Sequence, residues 1–190
     1  DDRMKRWMRL VPVLALGLLL ATAVGVGTGS AAKPGDQPLV VGYYIQWGIY
    51  GRGYTVKHVE TSGSAAKLDV TNYAFGNVAP NAAGDVVCQS GDPWADYQKP
   101  WTAAESVDGT EVTWPRPILG NFQQLKALKA LHPGLQVVVS LGGWTWSKGF
   151  SDAALTAEGR RRFCESAIAY VKRHDLDGLE PVDRGHQVGH

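Results

Sequence analysis

The 190 residues carry 19 Lys and Arg against 18 Asp and Glu, a balance that supplies no basic face for nucleic acid. The first 32 residues hold four of the 19 and two of the 18, leaving 158 residues with 15 basic side chains against 16 acidic ones. That remainder suits one domain with a real core and keeps six of the seven Trp.

The chain opens on a basic cluster, Lys5, Arg6 and Arg9, followed by an apolar stretch from Leu10 that ends in small residues at Ser30, Ala31 and Ala32. This is the pattern of a secretory signal peptide, with cleavage expected after Ala32 and a secreted, extracellular product. An uncleaved membrane anchor is the alternative, because the run to Lys33 is long enough to span a bilayer. Pro12 and the Gly/Thr/Ser tail from Gly25 weigh against it. Asp1 to Arg3 stand ahead of Met4 as an extension. Export permits a disulfide between Cys88 and Cys164, although Cys164 falls in a helical pattern where it serves equally as a small buried hydrophobe. No His/Cys spacing matches a zinc site.

Lys33 to Pro38 reads as a Pro/Gly linker, and Leu39 to Trp47 as a short apolar and aromatic strand buried on both faces. After a Gly-rich connection, Gly48 to Gly53, the stretch Val56 to Lys67 is weakly helical. A second strand is predicted from Asp69 to Val78, centred on Val70, Tyr73, Ala74 and Phe75. Ala79 to Gly120 shows little periodicity, and so long a loop is a functional segment or a small inserted lobe. Its Trp94, Trp101 and Trp114 either wall a cleft or pack the insertion.

Asn121 reads as a helix N-cap with Gln124 in the capping-box position. The stripe Phe122, Leu125, Leu128 and Leu131 follows, and Pro133-Gly134 ends that helix. Leu135 to Leu141 is a third buried strand opening onto Gly142-Gly143-Trp144. Thr156 caps a last helix striped by Phe163, Ala167, Ile168 and Val171, with Lys172, Arg173 and His174 at its negative end. Leu176-Asp177-Gly178-Leu179 begins a fourth strand.

Short apolar strands alternating with helices define an α/β protein with a parallel sheet. A complete (β/α)8 TIM barrel takes about 250 residues, so about four strands make the N-terminal half of one, with a long loop insertion after strand two. The domain plan is leader 1–32, linker 33–38, partial barrel 39–179 and an aberrant tail 180–190.

Three segments, Gly42-Tyr43-Tyr44-Ile45-Gln46-Trp47, Asn72-Tyr73-Ala74-Phe75 and Ser140-Leu141-Gly142-Gly143-Trp144, together resemble family 18 glycoside hydrolases of the bacterial chitinase type. Ala95-Asp96-Tyr97-Gln98, Ser106-Val107-Asp108-Gly109 and Gly120-Asn121-Phe122 are similar as well. In such barrels the site lies at the carboxyl ends of the strands, where sugar C–H faces pack on aromatic planes. The resemblance implies Tyr44, Trp47, Phe75, Gly142, Gly143 and Trp144 as substrate contacts, chitin or chito-oligosaccharides as the ligand, no metal or cofactor, and a monomer. Tyr44, Tyr73 and Phe75 also read as barrel core. Gly142 and Gly143 would let backbone approach the ligand without a Cβ between them.

The resemblance also implies the pattern Asp-Gly-x-Asp-x-Asp-x-Glu after strand four, whose final Glu protonates the glycosidic oxygen while the substrate's own acetamido oxygen attacks. That differs from the two-carboxylate scheme. Here Asp177-Gly178-Leu179 begin the pattern, with Asp177 as a supporting carboxylate. Glu180 then stands at the second Asp, Val182 at the third, and Arg184 at the acid. Arginine cannot act as a proton donor. A frameshift or early end near position 180 is the expectation, leaving three readings: an inactive chitinase-type chain, a noncatalytic chitin-binding protein, and a fragment that does not fold because its sheet edges stay open.

Overall fold

The computed structural model describes residues 38–182; the expected leader and its cleavage point, and Arg184, lie outside them. Five strands form, β1 (Val41–Ile45), β2 (Val70–Pro80), β3 (Val86–Ser90), β4 (Gln136–Gly142) and β5 (Gly178–Val182). β1, β2, β4 and β5 lie side by side in that order, all parallel. Parallel neighbours need crossovers. α1 (Val56–Thr61) joins β1 to β2, α2 (Gly120–Leu131) leads into β4, and α3 (Gly143–Trp146), α4 (Phe150–Leu155) and α5 (Ala157–Arg173) lie between β4 and β5. Among the described residues no helix is long and apolar enough to cross a membrane.

Side chains alternate across a strand, which sorts the sheet into two faces. On the helical side Tyr44, Tyr73, Val137, Val139 and Leu141 pack with Phe122, Leu125 and Leu128 of α2 and Ala167 and Tyr170 of α5. Each fully buried Leu or Phe there contributes about 1.5–3 kcal/mol. On the other side Tyr43 of β1 reaches across to β5. Its hydroxyl donates to Glu180 Oε2 at 2.9 Å, and Asn72 Nδ2 donates to the same oxygen at 2.8 Å. A tie from the first parallel strand to the fourth closes only over a sheet that curls, as a barrel wall does.

Several local expectations change. The loop after β2 contains β3, which pairs antiparallel with Gly76–Pro80 on the side that β1 occupies lower down. It also contains a single wide turn at Trp94–Gln98, closed by Lys99 N–H donating to Trp94 O at 2.9 Å. The capping box at Asn121 does not form, because tertiary bonds claim both amides. Asn121 Nδ2 donates to Gln46 O and to the Tyr73 hydroxyl, and Gln124 binds Val107 N–H and Ser106 Oγ. α2 instead begins at Gly120, whose positive φ of 58° and absent Cβ let it rest on the Asp96–Tyr97 backbone.

Thr156 does cap α5, accepting from Gly159 N–H at 2.9 Å. Leu131 and Ile168 are about half exposed and leave their stripes, while Tyr170 joins the core. His174 is buried among Tyr97, Phe122 and Tyr170 rather than set as a charge at the helix end. Burial, then Arg173, lowers it to about 4. Both cysteines are free: Cys88 is buried, and Cys164 is exposed rather than bridged or in the core. The segment expected to be an aberrant tail contributes Glu180, Pro181 and Val182 to β5, in register with Ser140, Leu141 and Gly142. Pro181 has no N–H to donate, and β5 tolerates it as an outer strand paired on one side among the described residues.

Candidate functional site

β1 ends at Ile45 and passes into a tight turn, Gln46–Ile49, that lifts Trp47 to the carboxyl rim of the sheet. On β2 the register with β4 slips between Ala74 and Gly76, leaving Phe75 as the extra residue of a bulge. Its ring stacks on Trp47, with centroids 6.1 Å apart and planes at 28°. β4 runs into Gly142 and Gly143, with φ of 93° and 62°, and the chain turns at once into α3 with Trp144, Thr145 and Trp146. These pieces meet. Trp47, Phe75, Gly142, Trp144, Thr145 and Trp146 line one cleft of about 280 Å³.

The two glycines act differently from expectation. A Cβ on Gly143 would fall 2.7–2.9 Å from the Phe75 ring, and one on Gly142 would fall 2.7 Å from Phe150 and from Ser147 Oγ. The space is filled by protein, so the glycines admit the aromatic wall itself. Ser147 Oγ fastens the turn, its one hydroxyl hydrogen shared between Gly143 O at 2.5 Å and Val182 O at 2.9 Å. Trp144 is 81% exposed and Trp47 46% exposed, so the cleft presents indole surface to solvent.

Tyr44 is not in the cleft. It lies on the helical side, 2% exposed, with its hydroxyl 3.3 Å from Tyr54 O and Asn121 Oδ1, and burial, then Tyr54, raises its pKa. Asp177 is also apart from it, just ahead of the first residue of β5 and so at the opposite end of the strands, roughly 16 Å from the rim at 3.3 Å per residue. Its Oδ2 accepts Val137 N–H at 2.7 Å and its Oδ1 meets Lys129 Nζ at 2.6 Å. Asp177 therefore ties β4 and α2 to β5. Asp177→Ala is expected to cost about 1–3 kcal/mol by leaving the Val137 N–H without an acceptor, while the cleft at the other end of the strands keeps its shape; denaturant unfolding checks the first and native tryptophan fluorescence the second.

Trp101 is core, 1% exposed, with Nε1 donating to Gly120 O at 2.9 Å and Lys99 Nζ 3.7 Å from its ring centroid. Trp94 and Trp114 are exposed and outside the cleft. Thr145 and Trp146 are the cleft residues that sequence reading missed, and Trp146 is the aromatic one. Its signal was spacing: it follows Trp144 by two, directly after a Gly-Gly turn. Among the described residues no cluster of His, Cys, Asp and Glu is arranged to hold a metal.

On the helical side of the sheet, next to Tyr73 and Tyr170, Asp96 is wholly buried. Its Oδ1 accepts Gln46 Nε2 and the Tyr73 hydroxyl, each at 2.5 Å, and its Oδ2 accepts Ser90 Oγ, with the Tyr170 hydroxyl 3.5 Å away. Burial raises Asp96 to about 6, against the pull of the Ser90, Tyr73 and Gln46 bonds. The folded chain thus holds a proton that the unfolded chain sheds near 3.8, so this group's contribution to stability declines as pH rises from about 4 to 6. His174 acts in the opposite sense. The unfolded chain gains its proton near 6.5, so stability is lost as pH falls from there toward 4.

Parallel strands with crossover helices along one side define an α/β scaffold, and its indole-lined cleft lies at the carboxyl rim, where barrel folds place their ligand sites. The chain belongs to glycosyl hydrolases family 18, whose model matches residues 39–180. It is 42% identical over 167 residues to Chitinase C of Streptomyces lividans, covering 87% of this chain and 26% of that protein. To Chitinase 63 of Streptomyces plicatus it is 39% identical over 170 residues, 87% of this chain and 27% of that one. The catalytic domain of psychrophilic chitinase B from Arthrobacter TAD20 superposes with a TM-score of 0.63 at 42% identity, over 68% of this chain and 33% of that one. The chain spans about a quarter of the length of the relatives it matches in sequence.

Proposed function

We propose that this chain is an exported, chitinase-type scaffold that binds chains of β-1,4-linked N-acetylglucosamine along its indole-lined cleft and, as it stands, does not cut them. The observation that carries this is the meeting of Trp47, Phe75, Trp144 and Trp146 on one cleft at the carboxyl rim. Pyranose rings present apolar C–H faces, and indole offers the widest plane for them together with an N–H donor. The relatives named as chitinases support the choice of sugar. Export rests on the basic and apolar pattern of the first 32 residues.

The absence of turnover rests on Arg184, which stands where the resemblance requires the proton-donating Glu. Glu180 is a poor substitute, since its Oε2 already accepts from Tyr43 and Asn72. An acid placed even an ångström off loses most of its effect. Hydrolysis is the second reading, favoured by the 42% identity to a chitinase. Release of chromophore from an N-acetylchito-oligosaccharide glycoside decides between them: no release above a heat-killed control is expected, and steady release at neutral pH would establish hydrolysis instead.

A further inference from the structure

Two of the segments that bear the cleft's aromatic wall, and a third that abuts it, converge on one carboxylate. Gln46, which donates to Asp96 Oδ1, is the first residue of the turn that presents Trp47. Tyr73, which donates to the same oxygen, lies two residues before Phe75 on β2. Ser90, which donates to Oδ2, pairs with Gly76 beside Phe75, and the next residue, Gly91, lies flat under the Trp146 ring where any Cβ would collide with it. Asn121 closes the set, donating to Gln46 O at 3.3 Å and to the Tyr73 hydroxyl at 3.2 Å. The turn that carries Asp96 is itself pinned: Leu119 N–H donates to Tyr97 O at 3.0 Å, Gly120 N–H to Lys99 O at 2.8 Å, and a Cβ on Gly120 would fall 2.5 Å from Asp96 backbone.

We propose that Asp96 is a positioning residue for the aromatic wall: through Gln46, Tyr73 and Ser90 it sets Trp47, Phe75 and Trp146 in the geometry that receives sugar rings, and itself touches no sugar. A carboxylate suits that task because it accepts only, and can take four donors without offering a hydrogen of its own. Protonation places a hydrogen among these donors, so at least one tie must reverse or break, and we infer that the wall responds to pH. The titratable and charged groups around Asp96 bear on that response. Asp92, which accepts from the Tyr50 hydroxyl at 2.6 Å, adds negative charge; Tyr73 and Tyr170 face the carboxylate as hydroxyls; and the Cys88 thiol and the His174 ring lie beside Tyr170. Burial, then Asp96, keeps the Tyr73 hydroxyl protonated well above its ordinary pKa, so it remains a donor throughout the useful range.

The sugar part of this inference rests on the proposed saccharide cleft, and the test separates the two. The protein is labelled with 5-fluorotryptophan, and the resonances of Trp47 and Trp146, assigned with Trp47→Phe and Trp146→Phe, are followed without ligand from pH 5 to 7.5. In the unsubstituted chain both are expected to titrate together with a midpoint near 6, and in Asp96→Asn neither does. With N-acetylchitohexaose, affinity is expected to be about five-fold weaker at pH 5 than at pH 7.5, and Asp96→Asn should show the weaker affinity at both. If Asp96→Asn does not fold, Gln46→Ala cuts the tie to the Trp47 turn alone and is expected to move the Trp47 resonance and weaken binding while leaving Trp146 in place. Resonances that do not titrate in the unsubstituted chain, or that titrate unchanged in a folded Asp96→Asn, overturn the positioning role. Titrating resonances without saccharide affinity at any pH would leave that role standing and remove the saccharide reading.

Discussion

If the proposed saccharide cleft is right, replacing Trp47 and Trp144 together by Ala is expected to lower affinity for N-acetylchito-oligosaccharides by about 30-fold or more while the chain stays folded. Aromatic anchors at the centre of a binding surface cost about 2 kcal/mol or more each when truncated, or roughly 30-fold. The two indoles share one cleft, so their losses need not add. Both rings are exposed, at 46% and 81%, so their removal opens no cavity in the core. Trp47→Ala also frees the Phe75 ring that stacks on it, and is expected to cost more than its exposed area alone would. Calorimetric titration of the single and double variants measures this, with near-ultraviolet circular dichroism reporting the fold. Wild-type affinity in the double variant would mean that the sugar binds elsewhere.

The second large effect is expected at Gly143. A side chain at φ 62° costs about 1–2 kcal/mol in backbone strain, and a Cβ there meets the Phe75 ring at 2.7–2.9 Å. The ring cannot retreat without leaving Trp47, so overpacking adds about 1–3 kcal/mol. Gly143→Val is therefore expected to destabilise the domain by about 2–5 kcal/mol, which lowers its melting temperature by roughly 10 °C for a domain of this size. Saccharide affinity should fall with it, because the strain is relieved by moving a wall of the cleft. Gly134, where a Cβ meets nothing within 4 Å, serves as the control: Gly134→Ala should change neither quantity.

The scaffold was legible from pattern because its strands are short apolar runs and its crossover helices carry buried stripes. Val137, Val139 and Leu141 all reached the core, as a buried strand over Leu135 to Leu141 implied. β3 was not legible, since Val86 to Ser90 is short and only partly buried, and its place depends on pairing with the far end of β2. Trp47, Phe75 and Trp144 were readable as neighbours on one rim from their positions at strand ends, and they line one cleft, whereas Tyr44 and Asp177 do not reach it. Alternation sends Tyr44 to the helical side, and Asp177 sits at the wrong end of its strand. Neither fact can be known before register is fixed. Asn121 and Gln124 misled for a related reason: local capping chemistry and a tertiary network compete for the same amides, and here the buried network prevails.

Asp96 was visible only as part of a resemblance, with nothing local to mark it as a hub. Its partners Gln46, Tyr73, Ser90 and Tyr170 come from β2, β3, α5 and the turn after β1, and only the folded chain brings them within hydrogen-bond reach. Electrostatics adds a second layer that sequence leaves out, since burial moves Asp96 and His174 in opposite directions across the same pH range.

The most direct measurement is a titration of the unsubstituted chain with N-acetylchitohexaose at pH 7.5, followed by chromatography of the recovered sugar. Saturable binding that quenches tryptophan fluorescence, with the hexamer returned whole, is the expected result. Absence of any saturable binding by folded protein, or recovery of shortened oligosaccharides, would contradict it.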